Sequence, residues 1–320
     1  MAMTAEGKPV APVPVMIAAW PGLGNVGVGA VHYLRKHLCG ENCARLDISG
    51  QVSPEALEVN QGIGRLAVPE PQLLYSVAEP PLLLFEGSVQ PGGEAGIRVA
   101  GELLDLARAR GVRTVYTGAA FATPTSAHDE VRVYGVATDD HLRAGFGALG
   151  VEPLGEGRIS GLNGLILGLA AECGLSGACF LATMPQYAVQ APNPKASRAL
   201  VRVFERILNT TVDSSAIDRE VEEVERLLGE FENRVNAAIR NIRLEAAGER
   251  PGAEPGSDDD EKPGPEPHEV IGRVEEMFEE AEKDRSKAAR LKEALDAWGL
   301  FPLYEDRFLD LFTPPRPPTD

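Results

Sequence analysis

Unbroken apolar runs alternate with helical periodicity through the first two thirds of this chain, and that alternation restricts its fold more than any other feature. Val13–Trp20 is mostly apolar without a period of two, so it reads as a strand buried on both faces. Pro21–Gly24 breaks the run. Beyond it, Val26, Val28, Val31, Leu34 and Leu38 fall near helical spacing, with Asn25 as the N-cap. Further strands are expected at Cys43–Ile48, Leu82–Glu86, Val112–Thr117, Val131–Ala137 and Ala178–Thr183. Helices are expected at Gly96–Arg110, from Asp139 or Asp140 to Leu149, at Gly161–Cys173 and at Lys195–Leu208. Residues 50–81, punctuated by Pro54, Gly62, Gly64, Pro69, Pro71, Pro80 and Pro81, read as irregular. Strands and helices repeating in this way make residues 1–215 an α/β core with a largely parallel, two-sided sheet.

The last third has a different grammar. Ile217, Val221, Val224, Leu228, Phe231, Val235, Ile239 and Ile242 recur at spacings of three and four, which predicts one long amphipathic helix over 216–245. Residues 246–267 contain SDDDE and five prolines but no large apolar side chain, so a disordered acidic linker is expected. Residues 268–320 hold a second helix, about Glu269–Trp298, then an aromatic segment, Phe301–Phe312. The apolar stripe of a helical hairpin needs a partner, either the α/β core or another subunit. The aromatic segment can likewise fold back or dock a neighbour.

Charge follows the same division. The 320 residues carry a net −17, but residues 1–217 account for only −4 and residues 218–320 for −13. Gripping nucleic acid or an anionic membrane needs basic patches, so neither partner is expected. No run approaches the ~18 apolar residues of a membrane span, and the first residues lack a signal core. A cytoplasmic protein is expected.

The sharpest motif is Gly22-Leu23-Gly24-Asn25-Val26-Gly27, a G-x-G-x-x-G between a strand and a helix, with Asp47 twenty residues after Gly27. Such a turn can cradle a nucleotide or phosphate on Gly22, Gly24, Asn25 and Gly27, or it can simply reverse the chain. A second glycine-rich helix start, Ser160 to Leu165, has Gly161, Gly164 and Gly168 at spacings that permit close helix packing. Glu86, Ser126, His128, Ser160 and Asn163 are candidates to line a pocket beside the first turn. His32 and His37, five apart, do not share a helix face, so no two-histidine metal clamp is expected. Cys39, Cys43, Cys173 and Cys179 read as buried free thiols rather than metal ligands. No catalytic constellation stands out, and no cofactor is expected beyond the nucleotide alternative.

Taken in order, the strand–WPGLGNVG–helix unit, RISGLNGLILGLAAECG and MPQYAVQAPNPKASRALVRVFERIL resemble the proteasome-assembly-chaperone family of the second-subunit type. The resemblance rests on Trp20 to Gly27, Ser160 to Gly168 and Pro192 to Ala196, and covers about residues 13–245. It implies a phosphorylase/hydrolase-like three-layer fold, self-association into a homo-oligomer (a trimer being one candidate), and contact with another protein rather than catalysis. Family members that dock on proteasome α-rings end in a hydrophobic–tyrosine–any sequence. This chain reads Arg316-Pro317-Pro318-Thr319-Asp320 instead. The expectation is a self-associating, chaperone-like protein without that docking route, the alternative being a small-molecule binder or enzyme at the glycine turn.

Overall fold

A computed structural model describes residues 14–52, 57–67, 70–246 and 267–312. The expected acidic linker, apart from its end residues 246 and 267, and the C-terminal residues 313–320 lie outside them. In chain order the elements are β1 (Val15–Ala19), α1 (Val26–His37), β2 (Glu41–Leu46), β3 (Leu57–Asn60), β4 (Ile63–Leu66), β5 (Gln72–Val77), β6 (Leu82–Glu86) and α2 (Gly93–Ala109). β7 (Thr114–Thr123), β8 (Val133–Ala137), α3 (Asp140–Ala144), α4 (Phe146–Leu149), β9 (Glu152–Pro153), α5 (Leu162–Glu172), β10 (Ser176–Pro185) and α6 (Pro194–Leu208) follow. The last four are α7 (Ser215–Ala246), α8 (Pro267–Lys283), α9 (Ala288–Ala297) and α10 (Phe301–Asp310).

Two compact units emerge. The first draws on Met1–Ala122, Glu130–Met184 and Ala188–Glu222; the second on Thr123–Asp129, Pro185–Tyr187 and Glu223–Asp320. The division between them falls inside α7.

The first unit is built on an eight-stranded sheet ordered β2-β5-β6-β1-β7-β10-β8-β9. Its centre is parallel, β1 pairing with β6 and with β7. The flanks turn antiparallel at β2–β5, β5–β6 and β10–β8, so the sheet is mixed rather than parallel almost throughout. β1 shows why helices must cover both faces. Met16, Ala18 and Trp20 point into a core shared with Val99, Leu103 and Leu104 of α2 and Leu162 and Ile166 of α5. Ile17 and Ala19 are also wholly buried, on the face covered by α1. On that face α1 packs with α6. At the first turn of α1, a Cβ on Gly27 would lie 1.9 Å from the Gly118 carbonyl oxygen of β7, and on Gly29 it would lie 2.9 Å from Ser197 Oγ of α6. Two glycines thus set the depth at which α1 sits. The helices after β1 and β6 leave on opposite faces, an arrangement that opens a crevice at the strands' carboxyl ends.

Three expectations are corrected. Residues 50–81 contain β3, β4 and β5; β3 and β4 form a separate hairpin whose two turn residues, Gln61 and Gly62, both have positive φ (50° and 78°). The helix expected to run to Trp298 is interrupted, because Asp284 takes an extended conformation and accepts from the Ser286 N–H. Gly168 faces open space; the glycine that permits close packing of α2 on α5 is Gly96, where a Cβ would lie 3.0 Å from Leu162 Cδ2.

The second unit has its own core. Val235 and Ile239 of α7 meet Val270, Ile271, Val274 and Phe278 of α8, Leu291 and Leu295 of α9, and Tyr304 and Phe308 of α10. The stripe of α7 at Phe231, Val235 and Ile239 is therefore covered from within the extension, and the aromatic segment folds back as a helix. Phe278 and Tyr304 stack with ring centroids 5.6 Å apart, and Phe231 meets Tyr304 edge-on.

Candidate functional site

The glycine turn lies between β1 and α1, and local bonds explain its shape. The N–H of Gly24 donates to the Val189 carbonyl, that of Asn25 to Gly22, and that of Val26 to Leu23. Three consecutive donors that a phosphate cradle would aim at an anion are engaged with backbone. Gly24 has φ +58°, the left-handed region that favours glycine, and a Cβ there would press on Met184 and Asn193. Asn25 is also left-handed, at φ 48°, and its side chain makes no cap bond to α1. Gly22 is extended and has open room: the nearest atom to a Cβ would be Asn163 Nδ2 at 3.9 Å.

Next to the turn is a cavity of about 510 Å³, lined by Gly22, Leu23 and Gly27, by the end of β7 from Ala119 to Ala122, and by residues 156–161 before α5. Leu154, Ile159, Leu181 and Phe121 contribute apolar surface; Gln90, Glu156, Arg158, Ser160 and Asn163 contribute polar groups. The best-placed polar side chains already have partners. Asn163 is buried, accepts the Trp20 N–H at 2.8 Å and donates to the Trp20 carbonyl at 3.0 Å. Its own carbonyl accepts from Thr117 Oγ1 at 2.6 Å. Gln90 Oε1 accepts the Leu162 N–H at 3.0 Å, which caps the start of α5. Behind them the Trp20 indole N–H donates to Gln72 Oε1 at 2.8 Å, and Gln72 Nε2 donates to the Val89 carbonyl at 2.6 Å. This buried lattice ties the end of β1 to α5 and β5.

Of the expected pocket residues, Ser160 and Asn163 line the cavity. Glu86 does not: its carboxylate is held by Arg35 Nε at 2.6 Å and His32 Nδ1 at 2.8 Å on the α1 side. Ser126 and His128 belong to the second unit. There the buried Glu232 accepts from Ser126 Oγ at 2.7 Å, from the Ala127 N–H at 2.8 Å and from the Tyr187 hydroxyl. The neighbouring His128 donates its backbone N–H to Ser126 Oγ at 3.2 Å. Burial, reinforced by the Glu232 hydrogen bond, pushes the Tyr187 phenol up. Glu232 was invisible as a partner because 105 residues separate it from Ala127.

All four cysteines are free; Cys39 and Cys43 are exposed, against the expectation of burial, and only Cys179 is fully enclosed. Burial raises the Cys179 thiol to about 11, which makes it inert. Asp47 is exposed and accepts the Ser49 N–H. Among the described residues no cluster of three or more His, Cys, Asp or Glu is placed to hold a metal ion, and no helix is long and apolar enough to cross a membrane.

Comparison with known proteins accounts for this fold. A protein of Methanocaldococcus jannaschii, uncharacterised MJ1210, is 25% identical over 217 residues, 67% of this chain and 81% of that protein. Among solved structures, Pyrococcus furiosus PbaB, an archaeal proteasome activator, aligns with a TM-score of 0.59 at 24% identity, covering 70% of this chain and 96% of PbaB. Mycobacterium tuberculosis Rv2125, a proteasome-assembly chaperone homologue, aligns with a TM-score of 0.59 at 22% identity, covering 68% and 94%. The sequence profile of the PAC2 family matches residues 16–232, more than half of the chain. The chain therefore belongs to the PAC2 family.

Proposed function

We propose that this chain works by association: a cytoplasmic, self-associating, chaperone-like protein that contacts another protein, not nucleic acid or membrane, and catalyses no reaction. The observation that carries the reading is the state of the glycine turn. Its N–H groups at Gly24, Asn25 and Val26 bond to backbone, and its glycines at 24 and 27 are closed off by Met184, Asn193 and Gly118. A turn closed in this way serves packing of α1, not phosphate recognition. The relatives described as a proteasome activator and an assembly-chaperone homologue support a proteasome subunit as the class of partner. Native mass spectrometry of the full chain, alone and with such subunits, tests this. The expected spectrum contains a homo-oligomer, with the trimer among the counts to be read, and a mixed complex. A monomer that forms neither sinks the reading.

A second reading keeps the cavity as a small-molecule or nucleotide site. The observation in its favour is the 510 Å³ volume at the carboxyl ends of the strands, where α/β proteins place ligands. Gly22→Val would narrow it without touching the engaged N–H groups. Thermal upshift by ATP or inorganic phosphate in the parent, abolished in this variant, would favour the ligand reading.

A further inference from the structure

We infer that the β3–β4 ribbon is the surface through which one copy of this chain meets another; the inference rests on the self-association reading and names its contact. The ribbon is a two-stranded sheet apart from the main one. Its register pairs Leu57 with Leu66, Glu58 with Arg65, Val59 with Gly64 and Asn60 with Ile63. Alternation then places Leu57, Val59 and Leu66 on one face, with Gly64 among them. Those three side chains are 58%, 67% and 67% exposed. A Cβ on Gly64 would lie 2.5 Å from Leu57 Cδ2, so the leucine lies across the glycine and makes the face continuous. The other face carries Glu58 and Arg65 directly opposite each other, together with Ile63, itself 64% exposed.

Scattered exposed apolar residues are ordinary; a contiguous apolar face on a two-stranded ribbon is not. Such a ribbon is marginal in water by itself, and each strand leaves an open edge of N–H and C=O groups. The charge distribution selects the occupant. With a net charge of −17, repulsion between copies of this chain is least where a contact carries no excess acid. The apolar face carries no charge and lies within residues 1–217, where the net charge is only −4. Each copy also offers both signs, Glu58 on β3 and Arg65 on β4, so β3 of one ribbon laid beside β4 of the next can set opposite charges together.

Sedimentation velocity and native mass spectrometry of the full chain across a dilution series test the placement. The double variant Val59→Ser, Leu66→Ser should raise the dissociation constant about a hundredfold or more, since two apolar anchors are lost, while its far-UV circular dichroism stays with the parent. A parent oligomer whose dissociation constant the double variant leaves unchanged overturns the ribbon placement alone. A parent that is monomeric at every concentration overturns self-association as well and leaves the face to a foreign protein. Should the variant fail to fold, hydrogen exchange on the parent decides: amides of residues 57–66 must gain protection as the oligomer forms. Equal exchange in monomer and oligomer overturns the placement.

Discussion

Replacing Gly27 by alanine adds one methyl group at the most crowded backbone crossing in the molecule. Its Cβ would sit 1.9 Å from the Gly118 carbonyl oxygen and 2.7 Å from the carbonyl carbon, with Ala19 Cβ at 3.4 Å. Reaching even the closest tolerated separation requires α1 and β7 to part by roughly 1 Å in an interior that hardly compresses. β7 has no slack to give, because a Cβ at Gly118 would itself be 2.6 Å from Leu200 Cδ1 of α6. Overpacking ordinarily costs about 1–3 kcal/mol, and a backbone-to-backbone clash belongs above that range, about 4 kcal/mol. Alanine recovers about 1 kcal/mol in helix propensity, which leaves a net loss of about 3 kcal/mol.

Urea unfolding followed by Trp20 fluorescence, in a Trp298→Phe background, reads this directly. At a slope of about 2 kcal/mol/M the midpoint should fall by about 1.5 M. Two controls separate crowding from generic glycine effects. Gly101→Ala on α2 meets nothing within 4 Å and should stabilise by roughly 0.5–1 kcal/mol. Gly22→Ala has its nearest contact at 3.9 Å and an extended backbone that any residue adopts, so it should stay within about 0.5 kcal/mol of the parent. A Gly27→Ala protein as stable as its parent would refute the packing account of the motif.

Asn163→Ala strips both backbone partners from Trp20, and two buried groups left unpaired should cost about 2–4 kcal/mol in the same urea assay. Phe278→Ala empties the middle of the helical core and should cost about 3–5 kcal/mol, read by Trp298 fluorescence; a loss under 1 kcal/mol would mean that the extension has no fixed core. Glu275 gives a pH test. Burial raises its carboxyl pKa, although Arg307 at 2.5 Å works the other way. A raised folded pKa means that its contribution is fully present below the unfolded value of about 4.3 and is lost as pH rises through the folded one. Melting of Glu275→Gln should therefore lack that decline with rising pH, and a variant that keeps it would reassign the effect.

The sequence made the core of this fold legible because burial on two faces leaves a long-range mark in a short-range pattern. β1, β6 and β10 announce themselves as unbroken apolar runs, and α1, α2 and α6 by period. What failed to show is local and weak. β3 alternates at Leu57 and Val59, but the apolar Ile63 and Leu66 of β4 are three apart, Gln61-Gly62 is a less obvious hairpin turn than Asn-Gly, and the prolines on both sides drowned the pattern. β5 has no unbroken apolar run: Gln72, Leu74 and Val77 are buried while Leu73, Tyr75 and Ser76 are half-buried, so neither the strand nor its antiparallel pairing shows in the pattern. The break at Asp284 depends on one side chain bonding two residues on, which a helical period averages away.

The site was less legible for a physical reason. A glycine motif records only that Cβ atoms are excluded; it does not record what excludes them. At Gly24 and Gly27 the excluding atoms are Met184, Asn193 and Gly118, all of them protein. The residues that give the region its rigidity, Trp20, Gln72, Thr117 and Asn163, are scattered over 143 positions between Trp20 and Asn163 and make bonds no spacing rule connects. Of the motif's three glycines only Gly22 has room for a Cβ, so it alone can separate the two functional readings by substitution. A change there leaves the fold intact under both, and moves ligand binding only if the cavity, rather than the surface of the molecule, is where this protein works.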